Sequence, residues 1–221
     1  ALCRSVRAAC PLVLYFESGD FVQGTPYFNF FQGEAEISLM NWLKPDAVTL
    51  GNHEFDNGIE PLLAMLSKAD FPIVCTNYEV SKTPLKRYIK PWHIIQKGGL
   101  RIGVVSANIH PSGLITASHF KDIRWLDPIK TADSTAQWLK ETKKCQLVIC
   151  LSHLGYDRDN GLADDRRLAA ESAYMDVILG GHTHTFMKQP VLVTNRRGQS
   201  VIINQAGKSG VYVGRLDLLV D

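Results

Sequence analysis

The sequence lacks any long hydrophobic run. Its longest apolar stretches, among them residues 12–16 and 147–151, have five residues each, whereas a helix needs roughly 18 or more apolar residues to cross a bilayer. We therefore expect a chain that is not embedded in a membrane. Both short runs are typical of buried strands.

The sequence also lacks a strong net charge and any Cys-x-x-Cys motif. The 24 basic and 22 acidic residues nearly cancel, leaving a formal charge of +2. This balance provides no basic field of the kind that attracts nucleic acid, so we expect no nucleic-acid partner. The five cysteines form no Cys-x-x-Cys pair, and an odd number cannot close a complete set of intrachain disulfides.

The first half of the sequence alternates strand and helix patterns. A short helical stretch is followed by strand patterns at 12–17, 47–50 and 72–76, with helix patterns between them at 27–42 and 58–69. This βαβαβ order predicts a largely parallel sheet with helices on its faces.

The second half adds hairpins to this pattern. Residues 88–96 and 100–106 flank Lys97-Gly98-Gly99 and predict a hairpin. The remaining patterns are helices at 127–144 and 166–172 and strands at 146–151, 176–179, 191–194, 201–205 and 211–219. Because there is no internal repeat or linker, we expect a single domain over residues 1–221, with two packed mixed sheets flanked by helices.

Residues of the types that bind metals follow four of the predicted strands. They lie in the segments Gly19-Asp20, Gly51-Asn52-His53-Glu54-Phe55-Asp56, Ser152-His153 and Gly180-Gly181-His182-Thr183-His184. Open α/β sheets build their sites at the carboxyl ends of strands. One histidine at a strand end is usually structural, but four such segments together predict a shared site.

These segments resemble the motifs of the calcineurin-like metallophosphoesterases. The run Gly51-Asn52-His53-Glu54-Phe55-Asp56-Asn57-Gly58 is very similar to that of the 5'-nucleotidase subgroup, as are residues 19–25 and 180–185. The resemblance implies a four-layer αββα sandwich of two mixed sheets flanked by helices. It also implies hydrolysis of phosphate monoesters, and of nucleoside 5'-monophosphates in particular, by a hydroxide that the metals hold.

The resemblance further implies a set of metal ligands. Asp20 would bridge two divalent cations, because its two carboxylate oxygens can each bind one. The first cation would also bind Asn52, His153 and His182, and the second would bind His184. Mixed oxygen and imidazole ligands suit Mn, Zn, Fe or Co. The substrate-binding residues stay unassigned.

His53 and Asp56 are the predicted catalytic pair. By resemblance, His53 would stabilise the transition state or protonate the leaving oxygen. Asp56 lies three residues further on and would orient the imidazole ring of His53 and favour its charged form. A second interpretation of Asp56 is an N-cap of the helix predicted at 58–69, a role that aspartate often fills.

One motif of the family is missing from this sequence. The family begins with an Asp-x-His on its first strand, which supplies two ligands to the cation that His184 would bind, and no Asp-x-His occurs here. We therefore expect that an N-terminal segment is absent and that the second metal site is weakened. We also expect that the C-terminal nucleotide-specificity domain of full-length 5'-nucleotidases is absent, which makes a separate specificity protein a hypothesis for a partner.

Two other functions stay open from the sequence. The same dinuclear metal site also serves cyclic-nucleotide and other phosphodiester hydrolases. The missing ligands allow a third interpretation, an inactive metal-binding or partner-binding remnant. For location, the resemblance implies a periplasmic or exported protein that acts in nucleotide catabolism.

Overall fold

The computed structural model describes residues 2–158 and 161–219. Its α-helices are α1 (Leu2–Ala9), α2 (Pro26–Phe31), α3 (Glu34–Leu43), α4 (Ile59–Leu66), α5 (Pro128–Glu141) and α6 (Asp165–Glu171). The strands are β1 (Phe16–Glu17), β2 (Ala47–Val48), β3 (Ile73–Val74), β4 (Tyr78–Glu79), β5 (Ile89–Lys90), β6 (His93–Lys97), β7 (Leu100–Asn108), β8 (Arg124–Trp125), β9 (Leu147–His153), β10 (Val177–Gly180), β11 (Val191–Thr194) and β12 (Ser200–Asn204). Short 3₁₀ helices occupy His53–Phe55, Pro84–Arg87 and Ala117–Phe120.

Two sheets form the centre of the fold. The first has the order β1-β2-β3-β5 and is parallel throughout. The second has the order β11-β12-β10-β9-β7-β6, in which the edge strands β11 and β6 run antiparallel to their neighbours and the inner pairs are parallel. The expected hairpin is the β6–β7 pair, and the antiparallel pair β4–β8 lies apart from both sheets.

The alternation of side chains along the strands explains why the sheets are layered. In β9, Val148 and Cys150 belong to the core that packs against α5 and α6, whereas Ile149 and Leu151 belong to the core between the two sheets. Successive strand residues point to opposite faces, so both faces of this sheet are buried. The outer face of the four-stranded sheet packs against α3 and α4 in a third core. The expected four layers, helix, sheet, sheet and helix, are confirmed.

Three sequence expectations differ from the structure. The first arm of the hairpin, expected at 88–96, is divided: β5 pairs with β3 in the four-stranded sheet, and only β6 pairs with β7. The helix expected at 27–42 is interrupted, because Gln32 and Gly33 have positive φ angles of 49° and 90°. A side chain at Gly33 would overlap Met65 of α4, so glycine is required where α3 begins. Residues 211–219 were expected to form a strand, but they are extended and make no ladder with the described strands, although Leu216 and Leu218 pack against the core between the sheets.

Within residues 2–158 and 161–219, none of the helices combines the length and apolar character that a membrane span requires.

Candidate metal centre

Four predicted ligands follow the carboxyl ends of parallel strands in the two sheets. Asp20 and Asn52 follow β1 and β2 of the four-stranded sheet. His153 is the last residue of β9, and His182 follows β10, its parallel neighbour in the six-stranded sheet. Because the two sheets pack face to face, these strand ends meet at one edge of the sandwich.

Three of these side chains converge on one point. The ligand atoms of Asp20, His153 and His182 all lie within 4.8 Å of one another. Asp20 Oδ2 is 2.9 Å from His153 Nε2, and the ring centroids of His153 and His182 are 5.2 Å apart. One carboxylate and two imidazoles at these separations suit a divalent transition metal.

Asn52 provides an independent test of whether a cation fits. Its side chain is buried, and within the part of the chain that the structure describes its Oδ1 atom has no hydrogen-bond partner. Leaving a buried acceptor unsatisfied costs roughly 1–3 kcal/mol. A cation held beside Asp20 would satisfy this oxygen, so the residues present fit a metal ion.

The approach of the two strand-end loops requires glycine at position 51. A Cβ on Gly51 would overlap Asp20 Oδ1 and would lie 2.5 Å from His153 Cε1. Asp20 and His182 also have positive φ angles, 57° and 67°. Such backbone conformations are uncommon for residues other than glycine and persist where the surroundings impose them, often at functional sites.

Electrostatics bias the pKa values of the two histidines of the cluster in opposite directions. Burial lowers the pKa of His153, but the hydrogen bond and the charge of Asp20 outweigh it and raise this pKa, so a cation would displace a proton from His153. Burial is the main cause that lowers the pKa of His182, to about 4, and the positive charges of His153 and Arg158 contribute. The ring is therefore neutral near pH 7, the form that binds metal. Burial opposes ionisation of Asp20, but its hydrogen bond with His153 and the charge of that ring outweigh this effect and lower the pKa of the carboxyl group.

The predicted catalytic pair lies directly beside this cluster. His53 Nδ1 is 2.8 Å from Asp56 Oδ2, and the two side chains are 40% and 31% exposed, so both are accessible from solvent. The backbone N–H of His53 donates to Asp20 Oδ1 at 2.9 Å. The alternative role of Asp56 as a helix N-cap is wrong, because α4 begins after Gly58 without a side-chain cap.

His184 lies outside the group of converging side chains. It is exposed, and its backbone is also left-handed, with a φ angle of 56°. Among the described residues, the group that converges on one point consists of Asp20, His153 and His182 without it. Its predicted role, as a ligand of a second cation, stays a prediction.

The sequence reasoning missed Glu54. This buried carboxylate accepts hydrogen bonds from the backbone N–H groups of Asp20 at 3.0 Å, Phe21 at 2.9 Å and Gly51 at 2.5 Å. It therefore ties the loop after β1 to the loop after β2. Burial, and then the charge of Asp20, raise the pKa of Glu54 to about 7. The only signal in the sequence was its place inside the segment Gly51-Asn52-His53-Glu54.

Known proteins with similar sequences or folds include several 5'-nucleotidases. The chain is 32% identical to a snake venom 5'-nucleotidase from Crotalus adamanteus, over 99% of this chain and 39% of the relative. It is 31% identical to the human 5'-nucleotidase, over 99% of this chain and 40% of the relative. A 5'-nucleotidase precursor from Thermus thermophilus has a similar structure, with a TM-score of 0.82 and 32% identity, over 94% of this chain and 42% of the other.

Together, the packed sheets and the cluster at their strand ends define the class, the metallophosphatase fold. The model of the calcineurin-like phosphoesterase family matches residues 7–186, and the chain belongs to this family. Membership implies a divalent metal cofactor. The chain spans about two fifths of the length of the curated relatives described above.

Proposed function

We propose that this chain hydrolyses phosphate monoesters, with nucleoside 5'-monophosphates as substrates. The observation that carries the proposal is the convergence of Asp20, His153 and His182 beside the exposed pair of His53 and Asp56. The substrate class is supported by the names of the relatives, which are 5'-nucleotidases at 31–32% identity.

In this proposal Asp20, Asn52, His153 and His182 hold one cation, and Asp20 and His184 contribute to a second. Mn, Zn, Fe or Co suits such mixed oxygen and imidazole ligands. Bound divalent ions supply charge neutralisation at the phosphoryl oxygens and activation of water. Because the sequence contains no Asp-x-His, the second cation has fewer predicted protein ligands within this chain than the first.

The protein's own contribution to the reaction is proton transfer and orientation. His53 is positioned to donate a proton to the leaving oxygen, because its ring is exposed next to the cluster and its main chain is fixed by Asp20. Asp56 accepts a hydrogen bond from His53 Nδ1, which leaves Nε2 to face the substrate. The buried Asn52 and His153 form the floor of the site.

The test is phosphate release from AMP by the purified chain with added Mn²⁺, comparing the wild type with His53→Ala. We expect turnover in the wild type and a loss of roughly 100-fold or more in the variant, as for a general acid. His110→Ala is the matched control, because His110 is an exposed histidine whose ring contacts Trp125, outside the cluster. A His53→Ala variant within about threefold of wild type would contradict the role of His53.

Two substrates separate the proposal from its alternatives. A phosphodiester such as cyclic AMP is assayed beside AMP, and faster hydrolysis of the diester would favour a phosphodiesterase. Mn²⁺ binding without hydrolysis of either compound would favour a metal-binding protein that has lost activity.

We further propose that recognition of the nucleoside is provided outside this chain. The chain spans about two fifths of its relatives, so a separate specificity protein or a further region of a longer protein would fill this role. An exported location is proposed because one relative is a venom protein and another is named as a precursor.

A further inference from the structure

Gln205 contacts the loop that carries the last two predicted ligands. It directly follows β12, is only 2% exposed, and points its side-chain amide at residues 181–185. Its Nε2 donates to the Gly181 carbonyl at 2.8 Å. Its Oε1 accepts from the Thr183 hydroxyl at 3.2 Å and from the Thr185 backbone N–H. One buried side chain therefore binds this loop at three alternate residues.

The residues between these contacts are the two histidines. His182 and His184 both have left-handed backbones, with φ angles of 67° and 56°, and this conformation is unfavourable for a residue other than glycine. The hydrogen bonds of Gln205 lie on either side of each histidine. They thus offset the cost of holding both rings in orientations that a relaxed loop would not keep.

We propose that Gln205 is a positioning residue that sets the metal affinity of the site through His182 and His184. This inference rests on the proposed function only in assuming that the cluster binds a divalent cation. Gln205 itself does not touch the cation. It acts as the partners of ligating histidines do in other metal sites, whose loss typically weakens metal binding about 10–100-fold.

The contacts require an amide at this position. The Gly181 carbonyl needs a donor, whereas Thr183 and Thr185 need an acceptor. Glutamate has the same shape but places an oxygen against the Gly181 carbonyl. Glutamate would also introduce a charge near the buried acid Asp165. The two side chains are neighbours, since a Cβ built on Gly180 would lie 2.9 Å from Gln205 Nε2 and would overlap Asp165 Oδ2. Methionine fills the space but provides no comparable donor or acceptor.

The experiment measures the Mn²⁺ dissociation constant calorimetrically, without substrate, for the wild type, Gln205→Glu and Gln205→Met. We expect binding about tenfold weaker or more in both variants, and recovery of AMP turnover at raised Mn²⁺. The matched control is Asn195→Ala. Asn195 is a buried amide whose Oδ1 binds the backbone of Arg197 and Gln199 in the β11–β12 hairpin, so its loss lowers stability without changing Mn²⁺ affinity.

Either folded Gln205 variant binding Mn²⁺ within twofold of wild type overturns the inference, and so does a wild type that binds no Mn²⁺. Loss of folding in both Gln205 variants at saturating Mn²⁺ also overturns it, because the side chain would then serve the whole fold. A wild type that binds Mn²⁺ but leaves AMP intact contradicts the proposed function alone. Weaker binding in the variants would still support the role of Gln205.

Discussion

Glu54 shows how one buried side chain can fix the geometry of several ligands. Its two oxygens accept three backbone N–H groups, from the loop that carries Asp20 and from the loop that carries Asn52. These loops belong to different strands, and Glu54 adds three hydrogen bonds to the one that the His53 N–H makes with Asp20 Oδ1. The carboxylate would thus position the predicted metal ligands through the main chain.

We therefore expect Glu54→Gln to damage both stability and activity. A glutamine offers one oxygen where three N–H groups need acceptors, and its NH₂ group would face at least one of them. An unsatisfied buried donor costs about 1–3 kcal/mol, and urea denaturation would measure this loss in the free energy of unfolding. We also expect AMP turnover to fall about tenfold or more. Glu60→Gln, a change at an exposed glutamate on α4, is the control. Wild-type stability and turnover in Glu54→Gln would contradict this role.

The predicted metal ligands could be identified from the sequence, whereas the residues that position them could not. Asp20, His153 and His182 were predicted from short motifs, and the structure brings them together. Glu54 and Gln205 act through contacts with backbone groups that are distant in sequence, 34 residues in the case of Glu54 and Asp20. No local pattern encodes such contacts, so they appear only once the chain is folded.

At the level of secondary structure elements, the close approach of the loops after β1 and β2 determines the site. Gly51 lies where these loops meet the end of β9, and its missing side chain leaves the space that Asp20 and His153 occupy. The φ angle of Gly51 is not positive, unlike those of most glycines in this chain. Glycine is therefore required here for its small size and not for its backbone freedom.

Gly51→Ala is expected to weaken Mn²⁺ binding strongly while leaving the backbone conformation allowed. The added methyl group would displace the Asp20 carboxylate or the His153 ring, and small displacements of ligands are costly in metal sites. Electron paramagnetic resonance of added Mn²⁺ would measure the free ion. Gly113→Ala is the control for backbone strain away from the site: its Cβ meets nothing within 4 Å, but the φ angle of 78° disfavours alanine, so it should lower stability and leave Mn²⁺ binding unchanged. Equal Mn²⁺ binding by Gly51→Ala and wild type would show that the loops tolerate the methyl group.

The order of the elements followed from hydrophobic periodicity, whereas two boundaries depended on tertiary contacts. The strand and helix alternation in residues 12–76 is present as predicted. The interruption between α2 and α3 falls at Gln32 and Gly33, whose φ angles are positive, and there a Cβ on Gly33 would overlap Met65 of α4; periodicity does not reveal this close approach. Residues 211–219 have the alternating pattern of a strand, but a strand also needs a neighbour with free backbone groups.

On the scale of the whole molecule, the candidate metal site lies where the two sheets meet. Asp20 and Asn52 come from the four-stranded sheet, and His153 and His182 come from the six-stranded sheet. The apolar core between the sheets, with residues such as Val74 and Ile149, holds these halves together. A cation bound by ligands from both sheets would add a further connection that exists only in the folded state.

Divalent metal should therefore stabilise the protein against heat. A ligand that binds only the folded state at about 100 times its dissociation constant adds roughly 2.7 kcal/mol. For a chain of this size, this corresponds to a rise in Tm of about 5–10 °C. Differential scanning calorimetry with Mn²⁺ and with EDTA would measure the shift. The His182→Ala variant should have the wild-type Tm in EDTA but lose most of the rise in Tm caused by Mn²⁺, because the remaining ligands come mainly from one sheet. A rise equal to that of the wild type would mean that the stabilising ion binds elsewhere.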